Sequence, residues 1–184
     1  MKSNMIYENN IQLIAFRDED VALFTQWIEK DYIYLWFCCE GNRSEQAFID
    51  GQKEKQEWLN EVTTRDDNPH RHLFIVMCDG IKIGFGICID LSGEPEYTTE
   101  QYPDLNGKVE PGEVLEIGYC IGEEAYLNKG IGKIIIRKLV DECRRLGAAL
   151  ALADPSEKNI PSVKVLLANG FYKYKDGDYR KQLM

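Results

Sequence analysis

Between residues 114 and 146 the sequence VLEIGYCIGEEAYLNKGIGKIIIRKLVDECRRL changes from strand patterning to helix patterning across a turn that carries glycine. Alternate side chains of a strand share a face. Leu115, Ile117, Tyr119 and Ile121 therefore point one way, and Glu116, Gly118 and Cys120 the other. A carboxylate beside a glycine on one face puts a charge next to open space, which a sheet interior tolerates only with a partner or a purpose. Asn128-Lys129-Gly130-Ile131-Gly132-Lys133 then leads into a helix with apolar positions at Ile131, Ile135, Leu139, Cys143 and Leu146. The first turn of a helix leaves backbone N–H groups unpaired at a positive dipole end, and glycines there let a phosphate approach the backbone. The segment reads as a pyrophosphate cradle or, with equal right, as a plain tight strand-to-helix turn. A Walker A loop is excluded by the absence of Gly five residues before Gly132 and of Ser or Thr after Lys133. A dinucleotide fingerprint lacks its third glycine, since position 135 is Ile.

Around this core the pattern predicts a strand over residues 11–16. A helix follows, N-capped by Asp18, with Val21, Phe24 and Ile28 at helical spacing. Residues 33–39 are too short and aromatic to assign. Residues 44–62 read as a helix, with Phe48, Ile49, Trp58 and Leu59 forming a broken apolar stripe. A hairpin joins residues 73–78 to 81–89 through Asp79-Gly80. Residues 92–112, with Pro95, Pro103, Pro111, Gly93 and Gly107, read as a long loop of the kind that often serves function. A strand over 148–153, a helix over 159–168 and a last strand beginning at 171–174 complete the chain. No repeat or linker divides it, so residues 1–184 are expected to form a single α+β domain, one central sheet with helices packed on it.

The net charge of −9 argues against a nucleic-acid partner, which needs clustered Lys and Arg. An acidic surface either steers a cationic acceptor inward or serves only solubility. No apolar run approaches the ~20 residues of a membrane span, and residues 1–10 lack a signal-like apolar region. No membrane association and a cytoplasmic location are expected. The six cysteines form no C-x-x-C pair and only two histidines are present, so buried reduced thiols, and no metal site, are expected.

The strand, glycine turn and helix resemble motif A of the GNAT superfamily of N-acetyltransferases, [RQ]-x-x-G-x-[GA], with Leu127 at the first position in place of Arg or Gln. Asn159, Ser162 and Ala168-Asn169-Gly170-Phe171 resemble motif B. A looser likeness covers most of the chain and points to bacterial aminoglycoside 6′-N-acetyltransferases, enzymes of antibiotic resistance. It rests on Trp27, Leu35-Trp36-Phe37, Ile83-Gly84-Phe85-Gly86, Ile121-Gly122-Glu123 and Asp154-Pro155-Ser156. Two positions depart from those enzymes. Gly118 stands where they usually carry an acid, and Leu166 stands where a Tyr commonly protonates the departing thiolate.

The resemblance implies a GNAT-like fold, a twisted mixed sheet flanked by helices, with splayed strands forming an acetyl-CoA site. It implies acetyl transfer to a primary amine of a small cationic acceptor, an aminoglycoside included. A protein N-terminus, a polyamine, a siderophore precursor or a non-catalytic acyl-CoA-binding role are the alternatives. Glu116 would act as the base, or else be bonded to a neighbouring Arg or Lys. Pantetheine would pair with the backbone of Tyr119, Cys120 and Ile121, with a backbone N–H near Tyr119 or Cys120 facing the oxyanion. Asn128, Lys129, Gly130, Ile131, Gly132 and Lys133 would hold the pyrophosphate, and Asn159 would lie beside the pantetheine arm. Trp36 and Phe37 would stack on the acceptor or sit in the core, and Asp154 would bind the acceptor amine or cap the turn at Pro155. Cys120 has no histidine near it in sequence, and the family's chemistry is direct, which argues against a covalent role. Monomer and homodimer stay open.

Overall fold

The computed structural model describes residues 10–64, 68–105 and 108–183. Its seven strands are β1 (Ile11–Ala15), β2 (Arg71–Cys78), β3 (Ile81–Asp90), β4 (Val114–Ile121), β5 (Leu150–Ala153), β6 (Tyr172–Lys175) and β7 (Asp178–Gln182). They hydrogen-bond in the order β1-β2-β3-β4-β5-β7-β6. The helices are α1 (Val21–Ile28), α2 (Asp31–Phe37), α3 (Glu45–Thr63), α4 (Pro95–Gln101), α5 (Ile131–Arg145) and α6 (Ile160–Ala168). None is long and apolar enough to cross a membrane.

Local chemistry explains most of the frame. Asp79 and Gly80 both have positive φ, 50° and 79°, as a two-residue hairpin turn matching strand twist requires. Ser44 caps α3 by accepting from the Ala47 N–H at 3.2 Å. Every pairing in the sheet is antiparallel except β4 with β5. A parallel pair needs a long crossover, and α5 supplies it.

That parallel pair positions the site. β4 pairs with β3 along seven residues, from Leu115↔Asp90 to Ile121↔Gly84. With β5 it makes only Val114↔Leu150, Leu115↔Ala151 and Glu116↔Leu152. β5 stops at Ala153, just before Asp154-Pro155, and proline cannot donate to a ladder. From Ile117 onward the β5-facing edge of β4 therefore has no strand beside it.

The alternation expected along β4 is present. Leu115 and Ile117 join the core beneath α5, with Ile131, Ile135, Leu139, Cys143 and Leu166. Cys120 joins the core on the other face, with Trp27, Phe24 and Phe85. All six cysteines are buried free thiols.

The structure differs from the sequence reading in four places. Residues 33–39 lie largely in α2. The supposed loop over 92–112 contains α4, with Pro95 at its start where a missing N–H costs nothing, and 3-10 turns at Leu91–Gly93 and Pro103–Leu105; Gly107 lies outside the described residues. Asp18 does not cap α1. It opens a 3-10 turn, Asp18–Asp20, whose Asp20 carboxylate accepts from the Arg17 N–H at 2.9 Å, and α1 starts at Val21. Finally, β6 is followed by β7, which inserts between β5 and β6.

Candidate functional site

Where β4 and β5 part, the chain turns into α5. Asn128 and Gly130 take positive φ, 58° and 76°, and Gly130 is the residue preceding the first helical turn. The N–H groups of Ile131, Gly132 and Lys133 begin the helix, so none has a carbonyl one turn back within it. A Cβ built on Gly132 would stand 2.7 Å from the Tyr119 hydroxyl, so the Tyr119 ring lies against this turn. Glycine at 132 thus serves packing as well as any approach to the backbone. Burial, then the neighbouring Cys120, pushes the Tyr119 phenol up to about 12. Lys129 lies over the Tyr126 ring, 5.6 Å from its centroid.

Tyr119 and Ile121 therefore lie with Ile131 and Gly132 on the α5 face of the sheet, whereas Cys120 points to the opposite face. The Tyr32 hydroxyl lies 3.0 Å from the Ile121 carbonyl and 2.9 Å from the Gly122 carbonyl, and its one proton is shared between them. Burial pushes the Cys120 thiol up to about 12, so it stays protonated and unreactive at neutral pH. Asn159 caps α6, its side-chain oxygen accepting from the Ser162 N–H at 3.3 Å, and its NH₂ group is the donor it can offer a ligand. Leu166 is 1% exposed and packs in the core under α5 that also holds Ile117 and Ala153; its aliphatic side chain has no proton to give a departing thiolate.

Glu116 sits at the last β4–β5 pair and is 7% exposed. Its carboxylate accepts from the Tyr97 hydroxyl at 3.0 and 3.2 Å and from the Tyr102 hydroxyl at 2.9 Å. Burial raises its carboxyl above the usual range, and the two phenols oppose that rise. Among the described residues, phenols and not a cation bond this carboxylate; Arg71, which acts on Glu116 from a distance, is itself bonded to Glu61 and Glu94. Burial and the Glu116 charge push both phenols far up, so they remain donors.

Asp154 follows β5 and reaches solvent, yet desolvation, then the Glu116 carboxylate, pushes its carboxyl well above the ordinary value. The two carboxyls titrate as a coupled pair, each pushed up by burial. Glu40 adds to the same field. Glu40 takes φ 49°, uncommon outside glycine, and its carbonyl accepts from the Ser156 hydroxyl at 3.1 Å. Trp36, in the last turn of α2, lies against Gly41, where any Cβ would enter the indole, so its ring packs on the loop whose Glu40 carbonyl meets Ser156. Phe37 instead packs on Trp58, with ring centroids 5.2 Å apart, beside the core of α1–α3. Tyr97, Tyr102 and Glu40 belong to the site although the sequence pattern does not single them out. The signal for the first two is Pro95, which opens a helix inside a segment that reads as loop.

Residues 10–172 match the acetyltransferase (GNAT) domain family. No curated protein shows a significant sequence match. Among solved structures, aminoglycoside acetyltransferase AAC(6′)-Ib in complex with coenzyme A and kanamycin is similar at TM-score 0.69 and 18% identity, over 94% of each chain. The aminoglycoside N(6′)-acetyltransferase from Legionella pneumophila is similar at TM-score 0.65 and 14% identity, over 95% of this chain and 92% of that one. The N-acetyltransferase PseH of Campylobacter jejuni is similar at TM-score 0.55 and 16% identity, over 92% and 94%. At these identities the likeness is one of fold. Since the family match runs from the edge of β1 into β6 and takes in the strand fork and the glycine turn, the chain belongs to the GNAT acetyltransferase family.

Proposed function

We propose that this chain, as a single cytoplasmic domain, moves an acetyl group from acetyl-CoA to the primary amine of a small cationic acceptor, an aminoglycoside-like polyamine being the class its fold relatives suggest. The observation that carries this reading is the open β5-facing edge of β4 from Ile117, which ends at the first turn of α5 and begins at the Glu116 and Asp154 carboxylates. A pantetheine arm has amides to pair with such an edge, and a pyrophosphate fits the unpaired N–H groups of Ile131 to Lys133. Asp154, open to solvent, meets the ammonium form of the acceptor.

The chemistry follows from the charges. An amine attacks only when neutral, so Glu116 takes its proton, through water, as the N–C bond forms. A backbone N–H near Tyr119 or Cys120 holds the oxyanion. The C–S bond then breaks, and the thiolate leaves and takes a proton from water. Replacing Glu116 with Gln is expected to lower turnover by ~10²- to 10⁴-fold while CoA affinity stays near wild type. The residual rate should rise with pH as free amine becomes abundant. Wild-type turnover in Glu116→Gln would remove Glu116 from this role.

A further inference from the structure

The segment between β3 and β4 covers the sheet face at Glu116, and it is braced far more than a covering loop requires. Arg71 of β2 holds Glu94 at its start with a 3.0 Å bond. Arg180 of β7 holds Asp104 near its end with bonds of 2.7 and 2.8 Å, and also grips Asp178. Lys175 donates to the Gln101 carbonyl at 2.9 Å, and buried Thr98 donates to the Leu91 carbonyl at 3.0 Å. What this bracing fixes is a pair of tyrosines. Tyr97 and Tyr102 stand edge to face, centroids 6.3 Å apart at 79°, and both hydroxyls end on one carboxylate. Tyr102 is 1% exposed, so the carboxylate also meets that phenol's need for an acceptor.

We propose that Tyr97 and Tyr102 are positioning residues for Glu116, holding its carboxylate in one orientation and donating to it so that it meets the acceptor amine in its ionised form. This rests on the reading of Glu116 as the base. The groups that bear on Glu116 are the two phenols, Arg71 on β2, Asp178 on β7 and Asp154 after β5. Burial pushes the carboxyl up, Asp178 adds to the rise, and the phenols and Arg71 pull it down. The sign is then fixed. Removing a hydroxyl withdraws a donor to the charged form and leaves the burial in place, so the carboxyl must rise further. Below its new titration point Glu116 holds a proton and cannot accept one.

Tyr97→Phe is the decisive variant, because Tyr97 is only half-buried and the ring is retained. The δ-carboxyl carbon of Glu116 can be followed by NMR in the free protein, assigned through its loss in Glu116→Gln. Its midpoint should rise by about one pH unit in Tyr97→Phe, roughly tenfold in proton affinity, and the acid limb of kcat/KM should move with it. The KM for acetyl-CoA should not change. Tyr102→Phe should shift the midpoint the same way; if it does not fold, Tyr97→Phe decides alone. A folded Tyr97→Phe enzyme whose midpoint or acid limb stays at the wild-type position overturns the positioning role. The base assignment fails separately, if Glu116→Gln turns over like wild type. A purely structural role would lower the melting temperature and leave the titration where it was.

Discussion

Asp154 carries a charge that the fold resists, and the sign of that resistance can be measured. Its folded titration point is well above the ordinary aspartate value of 3.8, through desolvation and then Glu116. Between those two points the native state binds more protons than the unfolded chain, so this residue's effect makes stability fall as pH rises from about 4. Above the folded titration point the destabilisation is present, reduced by the solvent that screens this exposed side chain. Asp154→Asn is therefore predicted to be more stable than wild type near pH 7, with the gain shrinking toward pH 4, as read by urea denaturation at each pH. Wild type proving the more stable of the two at pH 7 would by itself contradict this account of the residue. Of the site's side chains, Glu116 is legible from strand alternation with Gly118. Tyr97 and Tyr102 are not, because α4 spans only Pro95–Gln101 and its periodicity is lost among prolines. The family pattern draws attention to Leu166, which is buried and carries no proton to donate.

The strand, turn and helix from β4 to α5 agree with the sequence almost residue for residue, because both periods are strong and the turn is marked by glycine. β7 is invisible in the sequence for the opposite reason. Its stretch DYRKQ looks like a polar loop, but Asp178 and Arg180 are buried and satisfy each other and Asp104. The splay of β4 from β5 is legible only through the family resemblance; the two strands part after Glu116↔Leu152, while Ala153 still pairs with β7. At the α5 turn, a side chain at 132 would strike the Tyr119 hydroxyl and also crowd the first N–H groups. Gly132→Val is accordingly predicted to weaken CoA binding at least about tenfold by titration calorimetry, with the fold retained because the rest of α5 is well packed. A folded Gly132→Val protein that binds CoA as tightly as wild type would show that the turn is a packing device alone.

Across the chain, a net charge of −9 coincides with a site whose inner charges, Glu116, Asp154 and Glu40, are all negative. A surface potential of one sign raises the local concentration of a ligand of the other. A carboxylate whose charge is disfavoured gains from a cation placed beside it. On the proposed function, both effects would favour cationic amines and neither would select among them. CoA release should therefore be followed by thiol detection over a panel of amines at one concentration of acetyl-CoA, with aminoglycosides, linear polyamines, neutral aromatic amines and peptide N-termini side by side. The account predicts turnover with polycationic small molecules well above that with neutral amines or peptides. Binding of CoA with no amine accelerating its release, or a preference for neutral amines, would contradict it.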